Sequence, residues 1–282
     1  SMKKVKLHLG YSGHCLAKEN DAIKGGLKRK IKFFALWGLI EHPEEGYILF
    51  DTGYTRRFYK ETKRFPSKIY ALITKVKVRS EDEVIHQLKQ SGIDPKDIKQ
   101  IFVSHFHADH VAGLFDFPNA EIITSRVALE YTLGLNSIFS FSKGVLKGLI
   151  PEDIMSRVRF IEDCNAKPDP IFGKYYDLFQ DDSIRVFELP GHSKGQCGIM
   201  VNTAKKRYFL IADTSWLKRS HEDYVLPNPI VKLFFDSWGD FKQSLKRVHE
   251  FHKEKPGVTI VPTHCSETTD PLVSEVISFE KL

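Results

Sequence analysis

The chain has 282 residues, with 41% hydrophobic and 28% charged residues and a formal net charge of +6. That balance excludes a disordered or fibrous chain and leaves ample apolar material for a core, in one large domain or two small ones, between which length does not choose. The longest apolar run, Phe33–Ile40, falls far short of the roughly 20 residues a membrane-spanning helix needs.

Lys3-Lys4-Val5-Lys6 at the N-terminus does not read as a secretory leader, and Ser1 ahead of Met2 reads as a remnant of expression, so the native chain is expected to start at Met2 and stay in the cytoplasm. Four cysteines, Cys15, Cys164, Cys197 and Cys265, form no C-x-x-C pair and are read as reduced, buried thiols. The cationic excess gathers at Lys28–Lys32, Arg56–Arg79 and Lys205–Arg207. It is modest and scattered, which favours a solvated surface over a nucleic-acid face.

In chain order, Lys3–Tyr11 alternates as a strand, and Ile31–Glu41 reads as a buried strand turned by Pro43–Gly46 into Tyr47–Phe50. This hairpin ends at Asp51-Thr52-Gly53. Thr55–Leu72 has a helical pattern broken at Pro66, and Ser80–Glu83 is a capping box predicting a helix to about Gln90, stopped by Gly92. Ile101–Val103 is a short strand with Ser104–His110 on the loop at its end. Glu121–Thr124 is a strand, and Ser125 caps a helix. Residues 131–179, rich in apolar side chains, are expected to form an inserted cap, the alternative being a core-covering helix pair that touches no substrate. The second half reads as strands Ile184–Leu189, Cys197–Thr203, Arg207–Ala212 and Val258–Val261. A helix over Asp236–His252 precedes the last of these, and a final helix is expected from Asp270-Pro271.

Ser104-His105-Phe-His107-Ala-Asp109-His110 places three imidazoles and a carboxylate within six positions. Such a pattern would arise by chance on the order of once in a thousand chains of this composition. Protonated imidazoles repel at close range, and a divalent cation removes that conflict because neutral imidazole and carboxylate are its preferred ligands.

With this loop the chain resembles the metallo-β-lactamase fold superfamily, whose hallmark is H-x-H-x-D-H after a short strand. The resemblance extends to Asp51 in Phe-Asp-Thr-Gly, to His192 in Leu-Pro-Gly-His-Ser-Lys-Gly, to Asp213 at the end of Tyr208–Ala212, and to His264 after Val258–Thr263. It implies an α+β, four-layer αββα sandwich made by one domain over residues 1–282. It also implies His105, His107 and His192 around one metal, Asp109, His110 and His264 around a second, and Asp213 with a hydroxide bridging both. The ions would be divalent, zinc first, with manganese, iron or cobalt also accepted by such ligands. Two ions acidify water and polarise the group under attack. Asp109 would also carry a proton toward the leaving group, and Ser104 and Thr263 would orient imidazoles from behind.

Among branches of the superfamily, the N-terminal strands leading into Ile-Leu-Phe-Asp-Thr-Gly and the aspartate-bearing histidine loop resemble N-acyl homoserine lactonases. This implies a dinuclear hydrolase acting on a lactone, ester or similar small acyl substrate. Phosphodiesterases or nucleases and glyoxalase-like thioesterases share the ligands and remain the alternative. One departure is Trp216, where those lactonases carry a substrate-contacting tyrosine; an indole donates a hydrogen bond but cannot act as a phenol does. Trp216 and His221 are expected to line the substrate site, with the apolar stretches Tyr131–Ile150 and Val225–Phe235 forming a wall for an acyl chain.

Overall fold

The computed structural model describes residues 2–282. Its strands are β1 (Lys6–Lys18), β2 (Lys30–His42), β3 (Gly46–Phe50), β4 (Val76–Lys77), β5 (Ile98–Phe102), β6 (Glu121–Thr124), β7 (Val158–Phe160), β8 (Ala166–Asp169), β9 (Gly173–Asp177), β10 (Ile184–Glu188), β11 (Cys197–Asn202), β12 (Arg207–Ala212) and β13 (Val258–Pro262). They form two sheets, β4-β1-β2-β3-β5-β6-β7 and β13-β12-β11-β10-β9-β8.

Alternation along the strands builds the layers, because successive side chains leave opposite faces of a sheet. Leu36 and Ile40 of β2, Ile48 and Phe50 of β3 and Phe102 of β5 meet Val186, Ile199, Val201 and Leu210 of the second sheet in one buried cluster. Their neighbours Ala35, Trp37, Leu39, Leu49 and Ile101 point the other way, onto Phe58, Leu88, Leu114 and Leu129. On the outer face of the second sheet, Phe187, Phe209, Ile211 and Ile260 pack against Val248 and Phe251 of the helix Trp238–Glu254. The order is therefore helix, sheet, sheet, helix.

Several elements depart from the sequence reading. β1 runs on to Lys18 because an irregularity between Tyr11 and His14, with Gly13 at φ 80°, lets the strand bend and keep pairing with β2. Thr55–Leu72 gives two short helices, Arg57–Glu61 and Lys68–Ile73. Ser80–Asp82 is a 3-10 turn in which Asp82 accepts the Arg79 N–H at 2.8 Å, and the α-helix is only Val84–Gln90. The segment expected as a cap is not set apart from the sheets throughout, since β7 pairs with β6, and β8 and β9 extend the second sheet. Lys-Pro-Asp in β8, at the sheet edge, and Gly-Lys in β9 beside it hid both from an apolar pattern. No helix starts at Asp270; the last one is Ser266–Thr269. Among the described residues no helix is long and apolar enough to cross a membrane, and all four cysteines are free.

Candidate metal centre

All seven expected ligands lie at the ends of strands on one edge of the sandwich. His105 and His107 follow β5, and Asp109 and His110 fall in a one-turn helix, Ala108–Val111, which His107 precedes as its cap. The motif is thus half loop and half helix rather than a loop alone. Backbone bonds clamp it on several sides: Cys197 N–H donates to Ser104 O at 3.0 Å, Ala108 N–H to Gly144 O at 3.0 Å, and Thr52 N–H to His110 O at 2.8 Å.

Asp51, at the end of β3, is fully buried and has φ 54°. A non-glycine residue in that region is strained, and the strain aims its carboxylate into the histidine loop. Asp51 Oδ2 lies 2.6 Å from His110 Nδ1 and accepts the Ser104 hydroxyl at 2.8 Å, while Oδ1 accepts the Ser104 N–H at 2.8 Å. Ser104 Oγ is also 3.0 Å from His105 Nδ1. One carboxylate therefore orients two imidazoles. Thr263, expected in the same role, has no hydrogen-bond partner for its hydroxyl.

His192 sits in the turn between β10 and β11. Gly191 before it has φ 127°, and a Cβ there would fall 2.1 Å from Phe241 N; only glycine lets this turn lie on the start of the long helix. Asp213 follows Ala212, another left-handed residue at φ 51°, and its N–H donates to Gln196 Oε1 at 3.1 Å. His264 Nδ1 donates to Phe34 O at 2.8 Å, which fixes Nε2 as the free nitrogen. Phe33 stacks on the His264 ring at 4.8 Å.

The free atoms converge in two groups, His105, His107 and His192 in one, and Asp109, His110, Asp213 and His264 in the other, with ligand atoms of each group within 4.8 Å of one another. Asp213 reaches across both: Oδ2 is 3.1 Å from His192 Nε2, 3.3 Å from His264 Nε2 and 3.9 Å from His105 Nε2, and Oδ1 is 3.3 Å from His110 Nε2. Asp109 Oδ2 is 3.1 Å from His264 Nε2 and 3.4 Å from His110 Nε2.

Burial holds His105 well below its ordinary pKa and pushes His107 down to about 3. Burial opposes charge on His110 and His264 too, but Asp109 and Asp213 outweigh it, raising His110 well above 6.5 and His264 to about 10. The same pairings hold both carboxyls well below the usual range against the effect of burial. His105 Nε2, His110 Nε2 and Asp213 Oδ1 are buried without a hydrogen-bond partner. Unpaired buried nitrogens and oxygens of this kind cost stability unless something satisfies them. Imidazole nitrogens and carboxylate oxygens facing one another are the donor set of divalent transition metals, so the residues fit such ions.

Trp216 is half-buried beside this centre, 5.9 Å from His192, 5.9 Å from Phe33 and 5.3 Å from Phe235 between ring centroids. Phe235 itself lies 5.1 Å from His192. His221 is not part of that wall. It is only 3% exposed, with Nδ1 3.0 Å from Ser215 Oγ and its ring toward His252, so it offers no surface to a substrate. Phe33 and Gln196 were not singled out in the sequence, and Phe235 entered only as the end of the apolar stretch Val225–Phe235. Phe33 lies in an unbroken apolar strand, and Gln196 is one polar residue in a turn, so neither carries a motif.

A profile of the metallo-beta-lactamase superfamily matches residues 32–264. The chain is 25% identical over 265 residues to N-acyl homoserine lactonase AttM of Azorhizobium caulinodans, covering 93% of this chain and 94% of that protein. It is 27% identical over 256 residues to an N-acyl homoserine lactonase of Bacillus cereus, with 89% and 90% covered. In fold it is similar to an N-acyl homoserine lactone hydrolase solved with N-hexanoyl-L-homoserine at its catalytic metal center, with TM-score 0.77, 23% identity, and 98% and 100% of the two chains covered. It is also similar to AidC, a dizinc quorum-quenching lactonase, with TM-score 0.61, 16% identity, and 94% and 89% covered. Sheet order, strand-end ligands and a match over most of its length agree, and the chain belongs to the metallo-beta-lactamase superfamily.

Proposed function

We propose that this protein is a dinuclear metal-dependent hydrolase that opens a lactone or cleaves an ester or similar acyl substrate. The observation that carries the reading is the pair of ligand groups joined by Asp213, in which every side chain but the half-buried His107 is buried. His105, His107 and His192 would hold one ion, and Asp109, His110 and His264 the other, with Asp213 between them. Zinc is the ion we assign to both. Divalent cations held there supply Lewis acidity, polarising a substrate carbonyl and acidifying water.

The chain's own groups do the rest. Asp109 uses Oδ2 toward His110 and His264; Oδ1 is available to take a proton and pass it to the departing alkoxide oxygen. Asp51 and the Phe34 carbonyl hold the imidazoles in one orientation while this happens. Trp216, Phe33 and Phe235 form an aromatic wall beside the centre that sheds water and accepts apolar substrate atoms. We take the first part of the expected cap, up to about residue 157, as a second wall. In support, Gly144 lies against His107, where a Cβ would be 3.0 Å from the ring.

The relatives' names narrow the class to acyl lactones. Trp216 replaces a phenol, so an acyl carbonyl here would receive an N–H or no protein donor at all on that side. The test is a parallel assay of N-acyl homoserine lactones, simple aryl esters and bis(p-nitrophenyl) phosphate, with metal counted in each preparation. Turnover of lactone or ester well above that of the phosphodiester is expected. Preference for the phosphodiester would replace this reading with the phosphodiesterase one, and metal-loaded protein inert toward all three would end it.

A further inference from the structure

The stretch Arg56–Arg79, flagged by its charge, is not used by the proposed reaction. It holds nine Lys and Arg residues against one acid, Glu61. Arg56, Arg57 and Arg79 are tied to Glu83, Asp116 and Asp82. The other six, Lys60, Lys63, Arg64, Lys68, Lys75 and Lys77, are exposed and have no acidic partner among the described residues.

The helix at the middle of this stretch, Lys68–Ile73, buries none of its residues. Its inner side rests on the domain through Tyr70, whose ring lies 5.3 Å from Phe58. Its outer side is apolar: Ile69, Leu72 and Ile73 are 39%, 50% and 65% exposed, and Phe65 just before the helix is 66% exposed. Within the helix Ile69, Leu72 and Ile73, at i, i+3 and i+4, lie on one stripe. An amphipathic helix of a water-soluble domain turns such a stripe inward; here it faces out.

An apolar stripe ringed by unpaired cations has the chemistry of a shallow lipid contact. Apolar side chains enter the headgroup and acyl boundary, while lysines and arginines stay at the level of the phosphates. A second copy of this chain is a poorer occupant, because a two-fold contact would bring the same six cations against six more. We propose that this face docks the protein on an anionic phospholipid surface. The proposal does not depend on the hydrolase reading, and the binding is measured without turnover.

The experiment is co-sedimentation of the full chain with vesicles of phosphatidylcholine alone and of equal parts phosphatidylcholine and phosphatidylglycerol, at low and high salt. Binding to the anionic vesicles only, weakening as salt rises, is expected. Since each cation near such a surface strengthens partitioning about fivefold, Lys63→Gln/Arg64→Gln/Lys68→Gln should weaken it on the order of a hundredfold. Ile69→Ser/Ile73→Ser should also lose binding, and both variants should keep the parent melting temperature because every changed side chain is exposed. Equal partitioning on both vesicles, none on either, or parent-like binding by either folded variant would overturn the proposal. So would a concentration-dependent dimer, seen in sedimentation velocity, that Ile69→Ser/Ile73→Ser abolishes, since the stripe would then be covered by another copy.

Discussion

His110 Nδ1 lies 2.6 Å from Asp51 Oδ2, and both side chains are fully shielded from solvent. Although 59 positions apart in sequence, the two act as a unit: the carboxylate accepts a hydrogen bond from Nδ1–H and leaves Nε2 pointing at Asp109 and Asp213. Such outer partners fix both the tautomer and the aim of a ligating imidazole.

Asp51→Asn keeps the shape and removes the charge. It is expected to lower metal affinity or kcat/KM by about 10- to 100-fold, read by competitive chelator titration alongside turnover. Parent-like values in both would show that Asp51 does not support His110.

Gly191→Ala tests whether His192 depends on the tight turn before it. The left-handed backbone alone should cost on the order of 1–3 kcal/mol, and the added Cβ would meet Phe241 N at 2.1 Å. A lower urea midpoint together with loss of metal from the His105, His107 and His192 group is expected. Unchanged stability would contradict the close approach.

Two histidines outside the ligand set link stability to pH. Burial, aided by Lys281, lowers His8 to about 4, and burial, aided by His252 and His249, lowers His221 to about 3. Between the ordinary value of 6.5 and those lower values, the unfolded chain takes up protons that the folded chain refuses. Their contribution to stability is therefore complete above pH 6.5 and is lost as pH falls toward 4 and 3. Each group costs at most about 1.4 kcal/mol per pH unit inside its window. Urea midpoints at about pH 7 and about pH 4.5 should differ less in His8→Gln than in the parent; an equal difference would rule His8 out.

Much of this centre was legible because its chemistry is local in sequence. Four ligands occupy His105–His110, and each remaining ligand follows a strand that its own β-branched or aromatic residues announce, as with Asp213 after Arg207–Ala212. What could not be read depends on contacts between distant segments. Phe33 is one of several aromatic residues in β2 until His264, 231 positions on, lands on its face. Trp216 lies beside His192, whereas His221 turns inward, because helix Lys218–Asp223 packs against the long helix Trp238–Glu254 and buries that side. β8 and β9 were missed for a related reason: the edge strand β8 with Lys and Pro, and β9 beside it with Gly and Lys, lack the alternation that marks a half-buried strand.

If Trp216, Phe33 and Phe235 wall an acyl chain, kcat/KM should rise with chain length. Each methylene brought out of water contributes roughly 0.8 kcal/mol, about a fourfold gain, until the chain outgrows the wall. A flat series from short to long N-acyl lactones would remove the acyl role from these three residues.

Metal stoichiometry bears on the central claim most directly. Protein stripped with chelator, reloaded with Zn²⁺ and counted by elemental analysis is expected to hold two ions per chain, one for each ligand group. His107→Ala is expected to hold one and to lose nearly all turnover. Less than one ion per folded parent chain, or a His107→Ala variant with full metal and parent turnover, would contradict the account.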